Sequence, residues 1–157
     1  VAHDLYSESL ELHRRLGDRP RVAAVLVRLA AVARRRGELR RARSLCVESL
    51  ATMRDTGDVL GVAECLDELG MLLAQAGRPE DAAAAWGAME ALMDRTGTPL
   101  PPGQRAEHDE AVARARSGAE PAAFARAWER GRLFSLDEAV RFALATVDAA
   151  AAGTRGR

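Results

Sequence analysis

The sequence predicts an all-α fold assembled as an array of antiparallel helix pairs, and three observations carry that expectation. Hydrophobic residues make up 48% of the chain but aromatic residues only 4%, so a core must be built from small and aliphatic side chains. Ala alone fills 33 positions, and Ala has the best helix propensity and lets neighbouring backbones approach. The chain also repeats itself at an offset of 40, which aligns Glu8-Ser9-Leu10 with Glu48-Ser49-Leu50, Gly17-Asp18 with Gly57-Asp58, Val22-Ala23 with Val62-Ala63, Leu29 with Leu69, Gly37 with Gly77, and Ala42 with Ala82. Coincidences at turn glycines and apolar helix positions together mark an internal repeat. At 157 residues the chain suits one domain or a short helical array.

The elements follow in order. A truncated first unit contributes Ala2 and Tyr6. A helix from about Pro20 to Arg36 places Val22, Val25, Leu26, Leu29 and Ala33 on one face, the spacing of a half-buried helix. Pro20 suits a first turn, where a missing N–H costs nothing, and Gly37 suits the left-handed residue that ends a helix. Its partner runs from about Leu39 to Arg54, with Leu39, Ala42, Leu45, Cys46, Leu50 and Met53 inward. The second unit repeats this from about Leu60 to Ala76, then Gly77, Pro79 and a helix to about Arg95. After Gly97 the repeat fails, because Ala106 and Asp109 do not suit a further unit, and residues 98–103 read as a Pro-rich connector. Three helices are expected beyond it: about Gln104 to Ser117, about Pro121 to Arg130 with Phe124 and Trp128 one turn apart, and about Leu136 to Ala150. Ser135 and Glu138 stand at capping-box spacing before the last. The expected organisation is thus repeats over 1–97, the connector over 98–103, a C-terminal helical cap over 104–147 and a flexible tail over 148–157, with about seven helices in all.

Leu66, Leu69-Gly70, Leu73, Gly77, Ala82, Trp86 and Met89 resemble the tetratricopeptide pattern of a first helix with Leu-Gly followed by a second with small, large and small residues. The preceding unit offers Leu26, Leu29-Ala30, Gly37, Ala42 and Cys46, with Ala30 where the family usually has Gly and a period of 40 where the family has 34. The resemblance implies a tetratricopeptide-like solenoid. The order GRPEDAA, WGAMEALM, TPLPPGQR, FARAWERG and FSLDEAV is similar, over roughly residues 1–147, to the C-terminal repeat region of actinobacterial multidomain regulators that join a nucleotide-binding switch domain to such repeats, beside LuxR-type, SARP-type or cyclase domains. That resemblance implies a sensor or scaffold segment. The chain opens at Val1 without Met, inside a helical pattern, which fits a piece of a longer polypeptide.

Catalysis is not expected. Without any Lys there is no P-loop or Schiff-base lysine, and neither GxGxxG nor GxSxG occurs. The adjacent carboxylates Asp67-Glu68, Asp109-Glu110 and Asp137-Glu138 diverge by about 100° on a helix and cannot share a substrate. His3, His13 and His108 lack ligand spacing and read as surface residues, so neither metal nor cofactor is expected. Cys46 and Cys65 read as buried packing thiols of a reduced, cytoplasmic protein. No stretch is apolar enough to cross a membrane.

Net charge is zero but divided, about +6 over residues 1–54 and −6 over residues 55–157. Arg34, Arg35, Arg36, Arg40, Arg41 and Arg43 surround one turn, which has two readings: a solvated turn matched to a helix dipole, or a docking point for an acidic surface or phosphate. A chain without net basic charge is a poor general nucleic-acid binder. The resemblance implies instead a partner groove lined by first helices, here Val27, Ala31, Arg34, Arg35, Asp67, Met71 and Gln75, holding a protein segment or neighbouring domain. A homo-oligomer is compatible with the sequence. The alternative is a free-standing adaptor using its Arg-rich turn to hold an acidic partner or nucleic acid.

Overall fold

The protein is described here by a computed structural model covering the backbone of residues 1–153 and the side chains of residues 1–148. Eight helices occupy the described residues, against the seven expected: α1 (Ala2–Arg15), α2 (Arg19–Arg35), α3 (Leu39–Thr56), α4 (Val59–Gln75), α5 (Pro79–Thr96), α6 (Pro102–Ser117), α7 (Pro121–Arg132) and α8 (Leu136–Gly153). The additional one is α1, a full helix of 14 residues where the truncated unit was expected to contribute little. Helix α8 continues past Asp148, where a tail was expected to begin, because its Ala-rich end keeps helical propensity. The rest of that tail, residues 154–157, lies outside the described residues.

The helix ends recur with the repeat. Gly17, Gly37, Gly57, Gly77 and Gly97 all have φ between 66° and 79°, a left-handed conformation that L side chains rarely adopt. They stand twenty residues apart, so each helix and its turn use the same length of chain. Asp18 accepts a hydrogen bond from the Arg21 amide, and Asp58 one from the Gly61 amide, satisfying donors at the starts of α2 and α4. Pro20 and Pro79 sit in the first turns of α2 and α5.

Two antiparallel pairs, α2 with α3 and α4 with α5, form the body of the array, and α1 lies against α2. Between α2 and α3, the buried Ser49 hydroxyl donates to the Ala23 carbonyl at 2.8 Å. Between α4 and α5, the fully buried Trp86 ring lies over Gly70, where an added Cβ would come within 2.2 Å of the indole nitrogen. Forty residues earlier the same positions hold Ala30 and Cys46, both fully buried. The Cys side chain leaves room for the Ala methyl, which accounts for Ala30 standing where the family pattern has Gly. Trp86 also donates from its ring nitrogen to the Asp67 carbonyl at 3.3 Å.

Helices α6 and α7 fall where the period would put a third pair, but they touch each other at few positions. Instead α7 packs along α5 as closely as α4 does. Glycines make this possible: a Cβ on Gly131 would meet the Ala84 carbonyl oxygen at 2.0 Å, and one on Gly87 the Trp128 carbonyl oxygen at 2.1 Å. Being covered by α4, α7 and α8, helix α5 is buried on most of its surface, from Ala82 through Met93 with the exception of Glu90.

Helix α8 turns back across the array, touching α3, α4 and α5, and buries Ala139, Val140, Ala143, Thr146 and Val147. Its start is fixed by the expected capping box: the Ser135 amide donates to Glu138 at 2.8 Å and the Glu138 amide to the Ser135 hydroxyl at 3.1 Å. Phe124 and Trp128 lie with ring centroids 6.2 Å apart, Phe124 buried and Trp128 half-buried. The C-terminal helices therefore extend back along the array, beyond the end-closing role expected for a cap.

Candidate functional site

Helices α2 and α4 run side by side and present one concave face, and α6 lies over it. All seven residues expected to line a groove reach this face. Val27, Ala31, Arg34, Arg35, Asp67 and Met71 line a cavity of about 110 Å³ closed on its far side by Gln104 and Glu107 of α6. Gln75, with Arg34 and Met71, lines an adjoining cavity of about 440 Å³ that opens between α4 and the C-terminal half of α6. Their exposure is uneven. Val27 and Met71 are buried, Ala31 and Asp67 half-buried, and Arg35 and Gln75 exposed.

Arg34 is buried, with 8% of its surface exposed, so it is no solvated residue of a basic turn. Its Nε donates to Glu68 at 2.6 Å and its Nη2 to Glu107 at 2.7 Å. Arg35 donates to the other oxygen of Glu107, also at 2.7 Å. Glu107 thus bridges two neighbouring guanidinium groups from α6, and these two cations, Arg35 first, hold its carboxyl below the ordinary range.

Glu68 behaves in the opposite way: burial pushes its carboxyl up to about 7 against the attraction of Arg34. Asp67 and Glu107 add negative charge nearby and push in the same direction. For Arg34 burial favours the neutral form, but the attraction of two carboxylates outweighs it and keeps the guanidinium charged. Arg34 is shared between two acids, whereas Glu68 has one basic neighbour, so the upward shift falls on Glu68.

A consequence for stability follows from these two acids. Glu68 titrates at 4.5 when unfolded and about 7 when folded, so its contribution is complete below about 4.5 and is lost as pH rises through about 7. Glu107, shifted downward, contributes above the ordinary carboxylate range and loses that contribution in acid. Glu68→Gln cannot titrate, so its stability relative to the wild type is expected to improve by on the order of 2 kcal/mol between pH 5 and pH 8. Urea midpoints of both proteins at the two pH values check this, and a cost that grew with pH would show the Arg34 charge to govern Glu68.

The adjacent carboxylates diverge as expected, for Asp67 points to α6 and accepts His108 Nδ1 at 2.6 Å, while Glu68 turns to Arg34. His108 is a correction. Expected at the surface, it is 4% exposed and meets Trp86 edge-on, with ring centroids 5.7 Å apart. His3 and His13 are also half-buried. The α6 residues Glu107 and His108 are the participants that sequence reasoning missed, since nothing local to α6 points across the array to α2.

The Arg-rich turn is partly absorbed. Arg34 and Arg35 are paired as above, and Arg41 pairs with Glu38 at 3.1 Å and contacts His3 at 2.8 Å. Arg36 and Arg40 are exposed and Arg43 half-buried, and none of the three has an ion-pair partner among the described residues. Three unpaired cations, one of them half-buried, make a small footprint for a phosphate backbone, so duplex DNA at moderate salt is expected to bind no tighter than about 10⁻⁴ to 10⁻⁶ M. A fluorescence titration yielding nanomolar affinity, lost on Arg36/Arg40/Arg43→Ala, would reverse this expectation.

Cys46 and Cys65 are buried and face one another across α3 and α4, with Cys65 Sγ 3.7 Å from the Cys46 carbonyl. Hydrogen bonding to Cys65 and burial push the Cys46 thiol well up, which suits packing rather than nucleophilic chemistry. Among the described residues no group of three or more His, Cys, Asp or Glu could hold a metal ion. No helix among them is long and apolar enough to cross a membrane.

Comparison with known families matches residues 21–85 to the tetratricopeptide repeat. Comparisons with curated proteins and with solved structures give no match. The matched span takes in α2, α3, α4 and the start of α5, the two helix pairs that frame the concave face. Residues 21–85 are therefore a tetratricopeptide-repeat region, and the described chain is an all-α helix-pair solenoid.

Proposed function

We propose that this chain is a non-catalytic interaction segment of a larger bacterial signal-transduction regulator, holding a protein segment or neighbouring domain on the face shared by α2 and α4. The observation that supports this most is the chemistry of that face: an apolar floor of Val27 and Met71, cations at Arg34 and Arg35, an acid at Asp67 and an amide at Gln75. Such a mixture suits a polypeptide with distributed apolar and charged contacts. The repeat match adds the general expectation of protein binding, and the motif order GRPEDAA through FSLDEAV supports the regulator context.

Affinity in isolation should be modest, because two helix pairs frame a short groove. Site-specific photo-crosslinking tests the reading. A crosslinker at Gln75 or Ala31 in the full-length parent is expected to capture a defined protein segment, whereas one at Arg126, on the exposed side of α7, is not. Adducts from Arg126 alone would move the interaction to the C-terminal helices and end the groove reading.

A further inference from the structure

We propose that α6 is an internal ligand of the concave face, and that the partner which replaces it is a helix presenting a carboxylate to Arg34 and Arg35. This deepens the groove reading and rests on it. Helix α6 is 16 residues long, yet His108 and Val112 are its only buried residues. Its apolar contacts are small, Val112 in the core with Ala111 and Ala115 against it, and its specific contacts are polar: Glu107 on the two arginines at 2.7 Å and His108 on Asp67 at 2.6 Å. The C-terminal half is separated from α4 by the cavity of about 440 Å³, so apolar packing there is incomplete.

By contrast, the chain on either side of α6 is anchored. Leu100 in the connector is buried, and α7 is seated against α5 through Gly131 and Ala84. Release of α6 would therefore open a loop between two fixed points and leave the solenoid assembled. The charges on the face also define the replacement. Removing α6 deprives the exposed Arg35 of its carboxylate and uncovers one side of Arg34, while Glu68 continues to satisfy the Arg34 Nε. A helix with no carboxylate at that place would leave those cations without a partner, Arg34 in a largely buried site, which costs more than an exposed ion pair returns. A helix that places a carboxylate where Glu107 stands restores both bonds. A tethered ligand competes at an effective concentration in the millimolar range, so the tether by itself sets a high threshold for partners in trans.

The test uses the full chain and a fluorescein-labelled peptide of residues 98–118. Glu107→Arg places a cation against Arg34 and Arg35 and should free α6. Hydrogen exchange across α6 is expected to accelerate at least tenfold while α4 and α5 keep their protection, and the peptide is expected to bind this variant at least tenfold more tightly than wild type. Circular dichroism verifies the fold, and Glu107→Gln provides a milder release should Glu107→Arg unfold. The double variant Glu107→Arg with Arg35→Glu should re-pair the charges and restore protection. If α6 exchanges no faster than α5 in wild type and in both single variants, α6 is an integral part of the fold and the proposal falls, while crosslinking at Gln75 could still uphold the groove. If α6 is released but the peptide does not bind, the face does not accept a helix that presents a carboxylate to Arg34 and Arg35, and the groove reading fails with it.

Discussion

Replacing Trp86 by Cys should destabilise the protein by about 3–5 kcal/mol, and adding Gly70→Ala to that variant should cost far less than it does in the wild type. Trp86 is fully buried, its ring lies on Gly70, and its nitrogen is bonded to the Asp67 carbonyl, so truncation opens a large cavity and removes a hydrogen bond between α4 and α5. Gly70→Ala alone would put a methyl 2.2 Å from the indole nitrogen, an overpacking worth about 1–3 kcal/mol. In the double variant the clash is gone and the Ala helix propensity remains, a gain of up to about 1 kcal/mol over Gly. The pair then copies Ala30 and Cys46 of the preceding unit. Urea denaturation of the four proteins gives the coupling energy; strict additivity would mean that the two positions do not share space.

Gly131→Val should be comparably severe, costing about 3 kcal/mol or more. The atom in the way is the backbone carbonyl of Ala84, which, unlike a flexible side chain, cannot rotate aside. Helices α5 and α7 would have to separate along their whole contact, uncovering Phe124 and Ala127. The expected signature is a lowered melting temperature together with faster hydrogen exchange across α7. Gly118→Val provides a control, because nothing lies within 3.7 Å of a Cβ there. Equal effects at the two sites would remove the close α5–α7 crossing from the account.

Much of this architecture was legible because its signals are local. The left-handed glycines, the Pro residues at helix starts, the Ser135–Glu138 capping box and the Leu69-Gly70 and Trp86 positions each declare themselves within a few residues or at the fixed repeat spacing. The divergence of Asp67 and Glu68 likewise follows from helix geometry alone. What failed to show was whatever depends on distant pairing. Arg34 and Glu107 are 73 positions apart, and α6 has no apolar stripe to say what lies beneath it. The same lack of a stripe hid the burial of His108, whose neighbours Glu107 and Asp109 are charged. Helix α1 was underestimated because a single helix before the first complete pair has no partner of its own in the pattern.

The path of α8 has a kinetic meaning. An array whose units touch only their neighbours can open from either end, one pair at a time, with the outer units unfolding while the inner ones persist. Here α8 returns to α3 and α4 after passing α5, Arg54 of α3 faces Asp137 at 3.6 Å, and Arg78 ahead of α5 donates to the Thr146 carbonyl at 3.0 Å. Fraying of the second pair must therefore break contacts made by the first. Such closure couples the pairs into one cooperative unit, so unfolding should be all-or-none across α2 to α5. It also raises the sequence separation of the decisive contacts, which makes folding wait for the C-terminal helix to arrive.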